Sequence, residues 1–257
     1  MLASKLVSAI KKVYPSYGLR NNDIIFASYP KSGNTWVRFI WYNLISIKEY
    51  DGIEINFHNI DGKFAAVYDN HNFGQKSYDC IPRLVKTHKT YDQVFNKFKT
   101  IYLYRNPKDV MVSYYSYLNA RTEKNEISSD ISQFIRSKEY GLPAWYNHYI
   151  SWIDKCDISI TYKELKISEK IALQKILKEF EIDNISNKEL SKSIERSKFD
   201  KMRRIEEDKG RPQANDKVFN SDHKFTRKGE VGSGTKELNK NDIEYIDDFL
   251  IKKNISI

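Results

Sequence analysis

The stretch that decides the fold lies at residues 23–36 and reads Asp-Ile-Ile-Phe-Ala-Ser-Tyr-Pro-Lys-Ser-Gly-Asn-Thr-Trp. Residues 23–29 form a short apolar run, which predicts a buried β-strand. Residues 30–33 (Pro-Lys-Ser-Gly) then interrupt this run. From about residue 33 to residue 46 apolar side chains recur at helical spacing, which predicts a helix directly after the loop. Its apolar face consists of Trp36, Val37, Ile40, Trp41 and Leu44.

The same order of strand and helix recurs along the chain. Residues 83–86 predict a strand and residues 91–98 a helix. Residues 99–104 predict a buried strand, after which Asn106 is a suitable N-cap and Pro107 a suitable first helical residue.

Further elements follow from the same patterns. The helix that begins at Pro107 is predicted to end near Leu118. The remaining predictions are a strand at 157–162 and helices at 168–180, 187–197 and 239–251. Alternating strands and helices imply a single α/β domain over residues 1–257, with a mainly parallel central sheet flanked by helices. Because ligands in such folds bind beyond the carboxyl ends of the strands, the chemistry is expected there.

The composition narrows the class of protein. A chain of 257 residues suits one domain with a sizeable core, and 40% hydrophobic with 14% aromatic residues excludes a disordered chain. The net charge of +9 suits an anionic partner such as a nucleic acid, a phosphorylated cofactor or an acidic surface. A lysine-rich surface that serves solubility alone accounts for the charge equally well.

The cysteines and the N-terminal residues predict a cytoplasmic protein without a membrane partner. Cys80 and Cys156 stand far apart in no disulfide or metal-binding pattern, which favours a reducing compartment and no metal site. Residues 1–12 are interrupted by lysines and predict an amphipathic helix, not a signal peptide. No stretch approaches the ~18 consecutive apolar residues that span a bilayer.

The loop after the first predicted strand has the chemistry of an anion site. Backbone N–H groups at the start of a helix favour an anion, and Lys31 adds a positive charge. Gly33 lets the backbone approach a ligand closely. Neutral donors are available on Ser32, Asn34 and Thr35. These residues alone leave an ordinary turn before a capped helix equally open.

A nucleoside-triphosphate loop of the Walker A type fits this loop poorly. That motif places its Lys after the second Gly, whereas Lys31 precedes the only Gly of this loop, Gly33. A P-loop-like small-molecule kinase therefore remains only as an alternative.

Residues 29–36 (Tyr-Pro-Lys-Ser-Gly-Asn-Thr-Trp) resemble the 5′-phosphosulfate-binding loop of the cytosolic-type sulfotransferases, usually Tyr-Pro-Lys-Ser-Gly-Thr-Thr-Trp. Asn34 replaces the usual Thr and still supplies a donor. The resemblance implies that Lys31 contacts the sulfuryl group of the donor 3′-phosphoadenylyl sulfate (PAPS). It also implies that the segment from Ser32 through Gly33 and Asn34 to Thr35 holds the 5′ phosphate, and that Trp36 stacks on adenine. A core position in its own helix is the other role open to Trp36.

A histidine follows the second predicted strand in Lys86-Thr87-His88. At the end of a strand, a neutral imidazole is well placed to take a proton from an acceptor hydroxyl or amine. The resemblance implies that His88 is the general base and that Lys86 assists at the sulfuryl group. The other four histidines have no such setting and are interpreted as surface, core or acceptor-pocket residues.

Three later segments match the same family. Residues 102–115 resemble its 3′-phosphate-binding segment, which implies that Arg105 and Ser113 grip that phosphate, and the planar fork of Arg suits it. An ion pair with Asp109 is the alternative role for Arg105. The resemblance further implies contacts with the 3′ phosphate from Arg227, Lys228 and Gly229, and contacts with adenine from Tyr162 and Phe199.

The implied function is transfer of a sulfuryl group from PAPS to a hydroxyl or amine of a small molecule, leaving 3′-phosphoadenosine 5′-phosphate (PAP), without a metal. Besides the kinase, a basic nucleic-acid-binding module remains an alternative, although the Lys and Arg residues are scattered and match no nucleic-acid motif. The acceptor pocket is expected from residues 47–82, 114–117 and 140–152. The family's C-terminal dimer motif is not recognisable, which leaves the oligomeric state open.

Overall fold

A parallel β-sheet forms the centre of the computed structural model, which describes residues 18–61, 64–69, 77–120, 130–211, 224 and 226–257. Within these residues the sheet has five strands in the order β2-β3-β1-β4-β5, and every neighbouring pair is parallel. The strands are β1 (Ile24–Ser28), β2 (Ala66–Val67), β3 (Leu84–Thr87), β4 (Lys99–Tyr104) and β5 (Ile158–Thr161). The predicted α/β fold with a mainly parallel sheet is confirmed.

Helices flank the sheet and fill the connections between its strands. They are α1 (Asn34–Glu49), α2 (Pro107–Asn119), α3 (Ile131–Arg136), α4 (Leu142–Trp152), α5 (Tyr162–Ile167), α6 (Glu169–Glu179), α7 (Asn187–Arg196), α8 (Phe199–Lys209), α9 (Ser233–Glu237) and α10 (Lys240–Lys252). Among the described residues, no helix combines the length and apolar character needed to cross a membrane.

The central strand β1 is buried on both faces, which explains why it appears in the sequence as an uninterrupted apolar run. Phe26 pairs with Lys86 of β3 on one side and with Ile101 of β4 on the other. Because all three strands run in the same direction, their carboxyl ends meet at one edge of the sheet. The loops that carry the sequence motifs are therefore brought together.

Alternating residues of β1 serve two separate cores, one on each face of the sheet. Ile24 and Phe26 belong to the cluster that includes α1, whereas Ile25 and Ala27 belong to the cluster that includes Trp152. On the α1 face two large buried side chains have hydrogen-bond partners for their polar atoms. Trp41 Nε1 donates to the Pro82 carbonyl (2.8 Å) and the Tyr42 hydroxyl donates to the Leu84 carbonyl (2.8 Å), and both bonds connect α1 to the segment around β3.

Most predicted boundaries agree with the structure to within one to three residues, and the predicted cap of α2 is confirmed. The side chain of Asn106 accepts a hydrogen bond from the Lys108 amide (3.0 Å), and Pro107 is the first helical residue. The predicted helix at 91–98 is instead a single 3₁₀ segment, Gln93–Lys97, in which only Phe95 is buried. The predicted helix at residues 1–12 lies outside the described residues.

Candidate active site

A cavity of about 730 Å³ opens at the carboxyl edge of the sheet, where the loops after β1, β3 and β4 meet. Every predicted site residue except Ser32 contributes to its wall. These residues are Lys31, Gly33, Asn34, Thr35, Trp36, Lys86, His88, Arg105, Ser113, Tyr162, Phe199, Arg227, Lys228 and Gly229. Segments that are remote in sequence thus line one cavity.

The loop between β1 and α1 adopts a conformation that requires glycine at one position. Gly33 has φ 104°, and a Cβ there would lie 2.7 Å from a ring carbon of Tyr162. Lys31 also has a positive φ, 68°, which is uncommon for a residue with a side chain. No side chain caps α1 at Gly33, so the amide groups at the start of this helix have no side-chain acceptor there.

Two polar side chains of this loop are buried. Ser32 Oγ has no hydrogen-bond partner among the described residues, and Ser32 does not line the cavity. Asn34 Nδ2 donates to Ser28 Oγ (3.1 Å), while Asn34 Oδ1 has no partner in the described part of the chain. The amide nitrogen of Asn34 is therefore engaged within the protein.

Trp36 lies between the cavity and the core. It lines the cavity and also packs against the core cluster around α1. Its ring meets that of Tyr162 edge-on, with centroids 5.7 Å apart. Phe199 forms another aromatic wall and lies so close to Gly229 that a Cβ on Gly229 would be 2.6 Å from its ring. The cavity thus has three aromatic side chains around one region.

The electrostatics of Lys31 follow from its burial. Burial, followed by the positive charge of Arg211, lowers the pKa of the Lys31 ammonium to about 7. Its Nζ lies 4.7 Å from the ring centroid of Tyr117. An anion in the cavity would favour the charged form and raise this pKa again.

Arg105 is held between β4 and the C-terminal segment. Its guanidinium lies 4.2 Å from the ring centroid of Tyr162, and Nη2 donates to the Glu230 carbonyl (2.6 Å). The ion pair with Asp109 is present at 3.5 Å. Arg105 Nε is buried and has no hydrogen-bond partner within the described ranges. The ion pair and the position in the cavity wall are thus compatible.

Asp109 fastens the C-terminal segment to α2. Its carboxylate accepts hydrogen bonds from the amides of Gly232 (3.0 Å) and Gly234 (2.7 Å).

Arg227 and Lys228 both form ion pairs with the carboxylate of Glu237, at 2.8 and 3.0 Å. Glu237 was missed by sequence reasoning because it belongs to no motif.

His88 has a defined tautomer. Its Nδ1 lies 2.6 Å from the Ser28 carbonyl oxygen, which can only accept, so Nδ1 carries the proton and Nε2 the lone pair. Burial, followed by the charge of Lys86, lowers the pKa of His88 to about 3, so the ring is neutral at pH 7. A neutral ring with a free lone pair on Nε2 can accept a proton.

Asp69 anchors the backbone around His88 and was not identified from the sequence. Its carboxylate accepts from the Thr87 hydroxyl (2.6 Å) and from the His88 amide (2.9 Å). Asp69 stands in a segment without periodicity, so no sequence signal singled it out. It fixes the turn that carries His88 into the cavity.

The rest of the cavity wall is partly apolar. Residues 57–61 and 114–118 contribute to it, as expected for the acceptor pocket. Residues 140–152 do not, contrary to the prediction, because α4 turns Trp145 and Trp152 into the core, where both are fully buried. The sequence also missed Arg38, Met202 and Arg211. For Arg38 a signal existed, since it lies one helical turn after Asn34 on the same face.

His58 and His148 are not part of the cavity wall. His148 is buried in the core, with Nδ1 3.2 Å from the Tyr102 hydroxyl, and His58 is exposed and bonded to the Lys209 carbonyl (2.7 Å). His71 and His223 lie outside the described residues. Within the described ranges, no group of three or more His, Cys, Asp or Glu side chains is arranged to hold a metal ion.

Comparison with known proteins assigns the chain to a family. The model of the sulfotransferase domain matches residues 21–255. The chain belongs to this family. The resemblance read from the motifs is therefore confirmed, as is the predicted enzyme class, sulfotransferase.

Individual relatives of this sulfotransferase agree with the family match. It is 28% identical over 271 residues to mouse sulfotransferase 1 family member D1, with 93% of this chain and 85% of the relative covered. It is 32% identical over 203 residues to dog sulfotransferase 1B1, with 72% of this chain and 67% of the relative covered. Its fold matches that of mouse sulfotransferase SULT7A1 complexed with PAP, with a TM-score of 0.67 and 22% sequence identity. The match covers 93% of this chain and 86% of the mouse protein's chain.

Proposed function

We propose that this sulfotransferase moves the sulfuryl group of PAPS to a hydroxyl or amine of a small molecule, with His88 as general base and Lys31 and Lys86 stabilising the transferred group. The observation that carries the proposal is the single cavity of about 730 Å³ that contains all three side chains together with Arg105. A structural neighbour that was crystallised with PAP supports the choice of donor.

The donor side of the cavity fits a nucleotide with several negative charges. Arg105 Nε is a buried donor without a partner in the described part of the chain, and α1 has no side-chain cap. Ligand phosphates would satisfy such donors. Arg227 and Lys228 add positive charge to the same cavity, while Trp36, Tyr162 and Phe199 offer aromatic faces to a base.

The geometry at His88 supports a direct transfer of the sulfuryl group. As the acceptor oxygen or nitrogen bonds to sulfur, its proton passes to Nε2 of His88, and the bond from sulfur to the bridging oxygen breaks. The electron pair of that bond leaves on the phosphate of PAP, where Lys31 stabilises the charge, and Lys86 faces the sulfuryl oxygens.

The low pKa of His88 is compatible with this role. It results from burial and from the charge of Lys86. An anionic donor in the cavity offsets the positive field and raises the pKa of His88 towards its ordinary value, which strengthens the base when the substrate is present.

The cytoplasm remains the predicted location. Cys80 and Cys156 are both free thiols, as proteins of a reducing compartment carry. The nucleotide donor and the small acceptor are the proposed partners.

Thermal unfolding in the presence of PAP or of ATP with Mg²⁺ tests the donor site. We expect PAP to raise the melting temperature and ATP with Mg²⁺ to have little effect. Arg105→Ala should lose most of the PAP effect. Stabilisation by ATP with Mg²⁺ alone would point to the kinase, and salt-dependent RNA binding without a PAP effect would point to the nucleic-acid module.

Transfer of labelled sulfuryl from PAPS to a panel of phenols and amines tests the chemistry. We expect His88→Ala to keep the PAP-induced stabilisation and to lose transfer. Full activity of His88→Ala would remove His88 from the role of general base.

A further inference from the structure

The helix α8 contacts the segment 226–234 through three side chains on one of its faces. Phe199, Arg203 and Glu206 follow one another at intervals of four and three residues, which places them on the same face of the helix. Phe199 contributes to the cavity wall, whereas Arg203 and Glu206 do not. The contacts of Arg203 with other residues therefore decide what it does at the site.

Arg203 holds the backbone at the start of the segment 226–234. Its Nη2 donates to the Thr226 carbonyl (3.0 Å) and to the Arg227 carbonyl (2.5 Å). Its guanidinium also lies 5.0 Å from the ring centroid of Phe199, one helical turn earlier. A charged donor shared by two carbonyls fixes two consecutive peptide groups, because each carbonyl loses a strong hydrogen bond if it moves away.

Glu206 adds two hydrogen bonds at the same place. Its carboxylate accepts from the Thr226 amide (3.0 Å) and from the Thr226 hydroxyl (2.5 Å). Thr226 is buried and is held through its amide, its hydroxyl and its carbonyl. Glu206 also opposes the lowering of the Lys31 pKa, which makes Arg203 the better residue for a test.

The later part of the segment is fastened to other elements. Arg105 Nη2 donates to the Glu230 carbonyl, and the Asp109 carboxylate accepts from two amides further along the chain. Lys228 and Gly229 lie between the two fastened parts, and both line the cavity. The stretch that carries the predicted phosphate ligands is thus held on both sides.

We infer that Arg203 is a positioning residue for the 3′ phosphate of the donor. This inference rests on the proposed function, in which Arg227, Lys228 and Gly229 contact that phosphate. Arg203 fixes the backbone from which these groups project. Phe199 of the same helix lies against Gly229, where a Cβ would be 2.6 Å from the ring. The helix α8 therefore aligns an aromatic wall and the phosphate-binding backbone as one unit.

Two nucleotides that differ by the 3′ phosphate isolate the effect of Arg203. The probes are PAP and adenosine 5′-phosphate (AMP), and their dissociation constants are measured by calorimetry. Arg203→Met keeps a long side chain but removes the donor to both carbonyls. We expect it to weaken PAP binding by about tenfold and AMP binding by less than about twofold. Arg203→Lys, which keeps a charged donor, should recover part of the loss.

Arg204→Met is the matched control. Arg204 is the next residue of α8, is exposed and lies outside the wall of this cavity. Its substitution removes the same positive charge, so a general effect of charge on nucleotide binding would be seen in both variants. The ratio of the two dissociation constants should stay as it is in the native protein.

Hydrogen exchange of backbone amides examines the segment without a nucleotide. In the free protein, the amides at 226–229 should exchange faster in Arg203→Met than in the native protein and in Arg204→Met. The amides of β1 should exchange alike in all three proteins, which shows that the variants are folded.

The outcomes separate the inference from the proposed function. Loss of the preference for PAP over AMP in Arg203→Met but not in Arg204→Met supports the inference. A native preference for PAP that Arg203→Met retains would overturn the inference and leave the proposed function standing. A native protein that binds both nucleotides equally would remove the proposed donor, and hydrogen exchange then decides alone. Faster exchange confined to Arg203→Met supports Arg203 as the residue that holds the segment, and equal exchange overturns that role.

Discussion

The Nδ1 atom of His88 and the carbonyl oxygen of Ser28 form a hydrogen bond of 2.6 Å across 60 residues of chain. Ser28 is the last residue of β1, and His88 directly follows β3, its parallel neighbour in the sheet. The bond therefore depends on the alignment of two adjacent strands. It assigns the proton to Nδ1 and leaves Nε2 for the acceptor.

Nitrogen NMR of the imidazole should show this tautomer directly. In protein labelled at the histidine nitrogens, we expect the His88 signals to be those of a ring with a protonated Nδ1 and an unprotonated Nε2. His88→Gln identifies the signals by their absence. A ring protonated on Nε2 would contradict the assignment.

The stability of the free protein should fall in acid because of His88. Its pKa in the folded state is about 3, below the ordinary 6.5, so the unfolded chain binds a proton that the folded protein does not. Stability is therefore complete above pH 6.5 and decreases as the pH falls towards 3. Urea unfolding should show a penalty of about 2 kcal/mol from His88 at pH 5.

His88→Gln is the control for this measurement, because it removes the titrating group. The loss of stability between pH 7 and pH 5 should be smaller in the variant by about 2 kcal/mol. His148, whose pKa is also lowered to about 3 by burial and then by His88, remains in both proteins, and burial acts on it in both. Equal losses in the two proteins would contradict the low pKa of His88.

Asp69→Ala should slow sulfuryl transfer without weakening PAP binding. The substitution removes the acceptor of the Thr87 hydroxyl and of the His88 amide, so the turn that positions His88 loosens. We expect a loss of about 2 kcal/mol in the free energy of unfolding and a loss of about tenfold or more in the transfer rate.

Asp69→Asn is the conservative control, since its amide oxygen can still accept one of the two hydrogen bonds. Its transfer rate should lie between those of the native protein and Asp69→Ala. A normal rate in Asp69→Ala would show that Asp69 does not position His88.

Binding of PAP should take up a proton at Lys31. The pKa of this ammonium is about 7 in the free protein because of burial and of Arg211, and the phosphates favour its charged form. Affinity for PAP should therefore decrease as the pH rises from about 7 to about 9, by up to about tenfold per pH unit. Calorimetry in buffers of different ionisation enthalpy measures the proton uptake.

Lys31→Met tests whether Lys31 is the source of this proton uptake. The variant should bind PAP more weakly and with an affinity that changes less over the same pH range. The same pH dependence in both proteins would place the titrating group elsewhere.

Gly33→Ala should destabilise the protein and weaken PAP binding. A Cβ would lie 2.7 Å from Tyr162, in a backbone conformation with φ 104° that disfavours side chains. We expect a cost of at least about 2 kcal/mol from strain and clash together.

Gly232→Ala provides the matched control. Gly232 has a similar left-handed backbone, φ 81°, but a Cβ there would meet nothing within 4 Å. Its cost should be only about 1 kcal/mol from the backbone. Equal costs for the two substitutions would show that the contact with Tyr162 is unimportant.

Elements with strong local periodicity were predictable from the sequence, and others were not. β1 and β4 were recognised because strands buried on both faces form uninterrupted apolar runs. The strand β2 has only two residues, which are too few to show a periodic pattern in the sequence. In α8 only Met202 is buried, so the helix has no apolar stripe to recognise.

The residues of the candidate site also divide into those that the sequence predicted and those that it did not. Family motifs located the residues of the three loops, because each motif is a short continuous segment with a fixed order of side chains. Asp69, Arg38 and Arg211 belong to none of these motifs and enter the cavity only through folding.

The sequence by itself determined the order of strand, loop and helix, the place of Lys31 before Gly33, and the family. Periods of about 2 and about 3.6 residues and short motifs are local properties, so they can be read without the fold. Only the tertiary structure decided that His88 donates to the Ser28 carbonyl and that the Asn34 amide donates to the Ser28 hydroxyl. It also decided that Arg38 and Arg211 line the same cavity. These contacts depend on the register of the sheet and on packing between remote segments, which no local pattern records.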